Sequence, residues 1–530
     1  MLMNRNKQWA ILIYALSFIL NLLLVIALFS SLTPDDIKIY FNSDTLYLPS
    51  LYRDLFIDHN NLRGWHLNSS PNFFPDMTVY FILMFISQNF IFSSFFFSII
   101  QYMGILLLIP FLFRILIPQV CRIFIALSVL LMSLFLSVTL MSKDFVFTFY
   151  ILSNAYHTSA FIMGMICIII TLNYLKEPTT KRLLLLFFLC FLSILSDRLF
   201  IVVYAIPVIT IMIFLMKRQH VREVYRVLLV NVIAVVSGMA VFMLLDSSNY
   251  IIIDRPHRLM DFANIGPSFR ILSAQLTEYL FGINFKSLII LLSLLSFTGT
   301  IILIFRKNRK QKEDLFLKFY FLFSVTFTLL VLFMPVIAGN YTGYDTIRYN
   351  IYVFYLSVIN TGIIAAVFFN DRMMNRSVRG IVTSIPVIFS IMLVSVIIIE
   401  FSGNGLKQFL NYYPTIARCV DDAAEKEKLL YGVGGYWDAK YITMFSKKGV
   451  RIYPVYDDLV PYNHITNENW YTGRHAVFNF IIQNHVADSL AYRMRLGLTG
   501  ERLNAGEAQL IKVPPFRYQP NGYRIVKVNQ

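Results

Sequence analysis

The sequence predicts a polytopic α-helical membrane protein of about eleven spans with an α/β domain at its C-terminal end. Three observations predict it. Of 530 residues, 57% are hydrophobic, 16% aromatic and 14% charged, where soluble domains carry about 25% charged residues; mean hydropathy is +0.63. Apolar runs near or above the roughly 18 residues of a spanning helix recur up to residue 400. From Ser402 onward the composition turns polar. The formal charge of +16 gathers in short loops between apolar runs. That is the positive-inside pattern of a membrane protein and gives no support to nucleic acid as a partner.

The elements follow in order. The run 10–32 comes after Arg5 and Lys7. It is too long for a signal-peptide core and lacks a small-residue cleavage site, so it reads as a retained helix with a cytoplasmic N-terminus. Residues 33–75 then lie on the outer side. The stretch 77–92, "MTVYFILMFISQNFIF", is short and broken by Gln88 and Asn89. Two readings are open. If it stays outside, 95–117 runs inward and places Arg114 and Arg122 in the cytoplasm, and 122–141 returns. If it crosses, both arginines fall outside and another short span is needed near 145–156. The charge bias favours the first. Residues 142–157 then face out and 158–174 runs in toward Lys176, Lys181 and Arg182.

The remaining spans are 183–196, 199–216, 227–245, 287–305, 315–335, 350–369 and 380–400. Asp197 and Arg198 form an outer turn. Lys217, Arg218, Arg222 and Arg226, the run "RKNRKQKED", and Arg372, Arg376 and Arg379 fall inside. Between Asp246 and Lys286, "PSFRILSAQLTEYLFGINF" reads as an amphipathic surface helix. The chain thus divides into a membrane part, 1–400, with an outer juxtamembrane loop at 33–92, and a soluble extracytoplasmic part, 401–530.

Within that last part, "KLLYGVGG", "YWDAKYITMFSKKG" and "VRIYPVY" read as strand, helix, strand. "HAVFNFIIQ" is a further strand, and "AQLIKVP" and "YRIVKVN" a closing pair. "YGVGGYW" lacks the GxGxxG spacing, and no cytosolic nucleotide pool reaches that side. The four cysteines, Cys121, Cys167, Cys190 and Cys419, form no CxxC pair and no His/Cys cluster, so neither a disulfide framework nor a structural zinc site is supported. No internal repeat is visible.

The stretch "FNSDTLYLPSLYRDLF", 41–56, follows the first span. Asp44 precedes Tyr47, Leu51, Leu55 and Phe56, an apolar stripe that predicts an amphipathic helix resting on the bilayer. Asp44 then has two readings. It caps that helix, as Ser43 also could, or it is a carboxylate held at the membrane surface for chemistry. After it comes an aromatic turn with two prolines, "GWHLNSSPNFFPDMTVYFILM", at 64–84.

Taken together, these features resemble the first outer loop of the GT-C superfamily of polyprenyl-phosphate-sugar-dependent glycosyltransferases, in shape most of all the aminoarabinose transferases of lipid A and the protein O-mannosyltransferases. The matching residues are Asp44 with Tyr47, then Trp65, then Pro71 and Pro75. The family's double acid is reduced to Asp44 followed by Thr45, which weakens the case for a divalent cation (magnesium or manganese) here. Where the family often has a lysine before the prolines, this chain has Asp76 after them. Downstream, Asp144 in "MSKDFVF" matches the acid of the second outer loop; its plainer reading is an interfacial charge paired with Lys143. Arg348 and Tyr349 in "YDTIRYNIYVFYL" match an Arg-Tyr pair opening a late helix; the plainer reading is an interfacial anchor.

The resemblance implies a multi-pass enzyme of the bacterial inner membrane. It would move a sugar from a polyprenyl-phosphate donor to a glycan, lipid or protein acceptor at the outer face. Asp44 and Asp144 become the catalytic candidates. Arg348, Tyr349, Arg258 and Arg198 become the candidates for the donor phosphate, since a guanidinium fork binds two oxygens. Tyr47, Trp65 and His157 become cavity candidates, with a satisfied interfacial histidine the plainer reading of His157. The competing classes are a transporter or flippase, which would carry ionisable groups in mid-span, and a non-catalytic glycan-assembly protein. Carboxylates and arginines here gather at the outer ends of the spans, which favours chemistry at one surface.

Overall fold

A computed structural model describes residues 2–216, 222–248, 250–253, 260–282, 285–306, 313–369, 376–473, 476–484, 500–519 and 524–528. Arg258 and the basic positions Lys217, Arg218, 307–312 and Arg372 lie outside them. Seven helices are long and apolar enough to cross a membrane: Gln8–Ser31, Phe90–Leu116, Arg122–Ser142, Thr158–Lys176, Arg222–Ser247, Lys286–Phe305 and Leu315–Ile337. Each falls on an expected span. The other four expected segments are also helical but shorter or bent. Thr180–Ser196 has 17 residues. Ile201–Met216 and Tyr352–Phe368 are short apolar helices, and Ser384–Glu400 bends by 66° into Gly403–Leu410. A 17-residue helix is about 25 Å long, just short of a ~30 Å hydrocarbon core, so length alone does not make these four full spans.

The break at Gln88 and Asn89 decides the open question in 77–92. Thr78–Ser87 is a ten-residue helix that stops at Gln88, whose φ is 52°. Asn89 then caps the next helix, accepting from Ile91 and Phe92 N–H. Ten helical residues reach only about 15 Å, so this helix does not cross. The innermost helix is Arg122–Ser142, wholly buried. It packs on Tyr352–Phe368 at Gly362, where an added Cβ would collide with Ser128.

On one face of the bundle lie two sheets. Their strands are β1 (Trp65–Leu67), β2 (Ile252–Ile253), β3 (Tyr431–Gly434), β4 (Arg451–Pro454), β5 (Thr466–Asn467), β6 (Phe478–Ile482), β7 (Glu501–Ala505), β8 (Ala508–Tyr518) and β9 (Ile525–Lys527). The larger runs β4-β3-β6-β8-β7, with β9 on β8. β3 is parallel to β4 and β6, and the helix Tyr436–Phe445 makes the crossover between β3 and β4, as the strand–helix–strand reading predicts. The smaller sheet, β2-β1-β5, joins the first loop to the C-terminal region. Phe409 packs on Phe29, Tyr40 and Phe41, and Phe445 on Phe41 and Phe90. The C-terminal region is therefore seated on the loop 33–92.

That seating corrects the amphipathic surface helix. A short helix, Pro34–Tyr40, opens on a capping box made by Thr33 and Asp36. The next, Tyr47–Tyr52, is buried at all six positions. Its Tyr52 ring meets Phe81, and Arg53 just beyond it donates to the Thr443 carbonyl at 2.9 Å. An apolar stripe finds protein on both sides here, so the helix is sandwiched and does not lie open on the bilayer.

Candidate functional site

Asp44 lies in the turn between those two short helices. Its own N–H and that of Thr45 donate to Asn42 Oδ1 at 2.9 and 3.0 Å, so Asn42 organises the turn. The helix Tyr47–Tyr52 has Leu46 at its N-cap and no side-chain cap. The Asp44 carboxylate is therefore not spent on capping. Its Oδ1 accepts from the Tyr436 hydroxyl at 2.5 Å, and its Oδ2 is approached by the Tyr156 hydroxyl at 3.5 Å. Ser43 Oγ donates to the Tyr436 carbonyl at 2.5 Å. Lys440, 2% exposed, places Nζ 3.4 Å from the Ser43 carbonyl and 4.8 Å from the Tyr436 ring centre. Burial pushes the Lys440 ammonium down to about 7, with the charge of Asp44 pulling the other way. Tyr436 and Lys440 stand four apart on one helix, hence on one face.

The segment 154–157 ties further acids to this place. Ala155 N–H donates to Asp76 Oδ2 at 3.1 Å, Tyr156 reaches Asp44, and His157 Nδ1 lies 2.7 Å from Asp197 Oδ2. Three consecutive residues thus contact three different carboxylates. Ala155 and His157 have φ of 59° and 65°, a left-handed backbone that side chains with a Cβ seldom adopt. The Tyr352 hydroxyl fixes the segment by donating to the Tyr156 carbonyl at 2.7 Å. Asp197 also accepts from Ser70 Oγ and Leu199 N–H, both at 3.0 Å. Burial pushes the Asp197 carboxyl up, but His157 and these hydrogen bonds outweigh it and hold the group below the usual range. Asp76 goes the other way. Burial raises it to about 7 against the hydrogen bonds of Ser159 and Ala155, and the charge of Asp197 adds to the rise.

Arg348 and Tyr349 end a short 3-10 helix, Tyr344–Tyr349. Arg348 Nη2 is 3.4 Å from the Tyr349 hydroxyl, and its Nε is buried without a hydrogen-bond partner. The Tyr349 ring lies 5.3 Å from His157. Tyr156 feels the charges of both Asp44 and Arg348, which puts the carboxylate and the guanidinium on either side of one phenol.

The other expected residues fall elsewhere. Trp65 is fully buried and donates Nε1 to Asp54 Oδ2 at 2.6 Å. Tyr47 is fully buried with its hydroxyl on the Pro71 carbonyl at 3.0 Å. Both hold the loop and neither opens to a cavity. Asp144 is ion-paired with Lys286, whereas Lys143 pairs with Glu400 at 3.4 Å; the expected Asp144–Lys143 pair is replaced by a partner more than a hundred positions away. Arg198 donates to the Ser69 carbonyl at 2.9 Å and lies 4.6 Å from the Phe242 ring. Among the described residues no three of His, Cys, Asp and Glu come together as a metal-holding group. One carboxylate, two phenols and an ammonium around Asp44 are also a poor set for magnesium or manganese, which take several hard oxygens.

Sequence reading missed Tyr436, Lys440, Asp76 and the Asp197–His157 pair. One signal was present: "YWDAKY" puts a lysine on a helix with apolar neighbours, one turn from a tyrosine.

A helical membrane bundle, a buried juxtamembrane loop bearing a carboxylate and an α/β domain seated over that loop together make a GT-C-like fold. The structure of ArnT from Cupriavidus metallidurans bound to undecaprenyl phosphate is similar to this chain, with a TM-score of 0.52 and 11% identity over 96% of this chain and 98% of that one. No protein-family model matches the sequence, and no curated protein matches it.

Proposed function

We propose that this chain is an integral-membrane glycosyltransferase. It moves a sugar from a polyprenyl-phosphate donor to an acceptor hydroxyl at the extracytoplasmic face. The acceptor oxygen bonds to the anomeric carbon as the bond from that carbon to the phosphate oxygen breaks. The electron pair leaves on the phosphate, and the acceptor proton passes to Asp44 as general base. Arg348, with Tyr349 beside it, offsets the charge that grows on the departing phosphate. His157 and Asp197 hold the segment that presents Tyr156 between the two.

The observation that carries this reading is the state of Asp44. It is a half-buried carboxylate with no capping duty, aligned by a phenol and placed across Tyr156 from a guanidinium with a buried, unpartnered Nε. The likeness to an undecaprenyl-phosphate-bound ArnT structure supports the choice of donor class.

The test is Asp44→Asn at pH 8, assayed with undecaprenyl-phosphate-linked sugars as donors and membranes as the source of acceptor. Transfer should fall by roughly 10²–10⁴-fold, with thermal stability unchanged. Near-normal transfer would sink the assignment.

A further inference from the structure

The C-terminal domain reaches the site through two side chains on one helix face. Tyr436 gives Asp44 its shortest hydrogen bond, at 2.5 Å. Lys440 is more unusual. An ammonium offers three donors, yet this one is 2% exposed and has a single hydrogen-bond contact, the Ser43 carbonyl at 3.4 Å. A buried cation needs a counter-charge. Two sides of Lys440 carry charge. On one stand Asp44 and Tyr436. On the other is a small pocket that Lys440 lines together with Arg53, Asp54, Asp58, Arg451 and Tyr453. In that pocket Asp58 is taken by Arg53 and Arg451. Asp54 is taken by four amide and indole donors. The carboxylate left to balance Lys440 is Asp44.

Resting on the reading of Asp44 as base, we infer that the C-terminal domain completes the transfer site, with Tyr436 and Lys440 as positioning residues for Asp44. Tyr436 fixes Oδ1, so that Oδ2 turns toward Tyr156 and the acceptor side. Lys440 supplies the charge that keeps the carboxylate ionised away from bulk water. The two act through Asp44 and do not touch the sugar.

The experiment uses the full chain in detergent or nanodiscs, with undecaprenyl-phosphate-linked sugars as donors, membranes as acceptor source and release of undecaprenyl phosphate as readout. Rates are taken from pH 5 to 9 for wild type, Tyr436→Phe and Lys440→Met. A hydrogen bond or a cation that favours the charged form of a carboxylate is lost in each variant. The acidic limb of the transfer profile should therefore move to higher pH by about half a unit or more. Transfer at pH 6 should fall about tenfold, with recovery toward pH 8. A merely structural role would lower the rate equally at every pH.

A substrate-free measurement runs beside it. A double-mutant cycle of Asp44→Asn and Lys440→Met on Tm should show coupling at pH 6, where Lys440 is charged, that shrinks at pH 8. Tyr436→Phe removes one oxygen and carries the kinetic test if Lys440→Met folds poorly. Unmoved limbs with no coupling at pH 6, while Asp44→Asn is inactive, would overturn this inference alone. Normal transfer by Asp44→Asn would overturn the reading beneath it.

Discussion

Asp54 offers the sharpest test of how the loop and the C-terminal domain are joined. It is 2% exposed, and its carboxylate accepts four hydrogen bonds from neutral donors. Asn60 Nδ2 at 2.7 Å and Trp470 Nε1 at 2.6 Å reach Oδ1. Trp65 Nε1 at 2.6 Å and Asn467 Nδ2 at 2.8 Å reach Oδ2. Two of these donors come from the first loop and two from the C-terminal domain, and the indoles of Trp65 and Trp470 meet edge to face at 5.2 Å. Asp54→Asn keeps the shape but turns one oxygen into an NH₂ that faces two N–H donors. Each lost bond to a charged acceptor is worth about 1.5–3 kcal/mol, and the stranded indole and amide have no water to turn to. Two such losses make about 4 kcal/mol. A cooperative unit of 150–250 residues loses about 2–4 °C per kcal/mol, so Tm should drop by roughly 8–16 °C. Thermal unfolding followed by tryptophan emission reads this directly, because two of the four tryptophans sit on the carboxylate. Transfer should fall with it, since the same loop carries Asp44. A Tm within 2 °C of wild type would show that these four bonds do not hold the domains together.

Three further outcomes follow from other parts of the molecule. Arg348→Lys keeps a charge but loses the planar fork, so binding of undecaprenyl phosphate should weaken about tenfold; unchanged binding by Arg348→Ala would dismiss the role. Asp76, raised from 3.8 to about 7 mainly by burial, binds a proton in the fold across a range where the unfolded chain has lost it, so wild-type stability should decline as pH rises from about 4 through 7. Asp76→Asn should flatten that slope and gain up to about 4 kcal/mol at pH 8, with no gain near pH 4; a variant equally or less stable at pH 8 would contradict it. Reporter fusions at Lys310 and Gln530 should land on opposite sides of the membrane, and finding both on one side would overturn the proposed orientation.

What the sequence discloses depends on how far apart the partners lie along the chain. Spans are local facts. A run such as 227–245 is apolar whatever surrounds it, and its helix, Arg222–Ser247, appears where expected. The break at Gln88 and Asn89 is equally local, a helix stop followed by a cap. The strand–helix–strand order of β3, Tyr436–Phe445 and β4 is likewise written in alternation and turn residues. The chemistry is not local. Asp44 stands out in the sequence as an acid beside a span, but Tyr436 is 392 positions away and no spacing rule connects them. Trp65 and Tyr47 stand out as readily, yet they serve the loop's own packing, because an aromatic with a polar tip suits a buried joint as well as a binding cavity. The amphipathic stripe of 47–56 misled for the same reason. An apolar face specifies burial without naming the burying partner, and here protein covers what a bilayer would otherwise have covered.

The same reasoning explains why an acid and an apolar segment occur together after the first span. Tyr47–Tyr52 is pinned between Phe81 on one side and the C-terminal helix on the other, through Tyr52 and, just past its end, Arg53. That pins the turn before it, and the turn holds Asp44. Apolar burial fixes the depth of the carboxylate, Asn42 fixes its backbone, and Tyr436 fixes one oxygen. Each device leaves the second oxygen to the side where Tyr156 and Arg348 stand. A capping acid would need none of this, since an Asn would cap about as well and no distant phenol would have to find it. The arrangement makes sense for a carboxylate whose position, and not its contribution to helix stability, is the property the fold maintains.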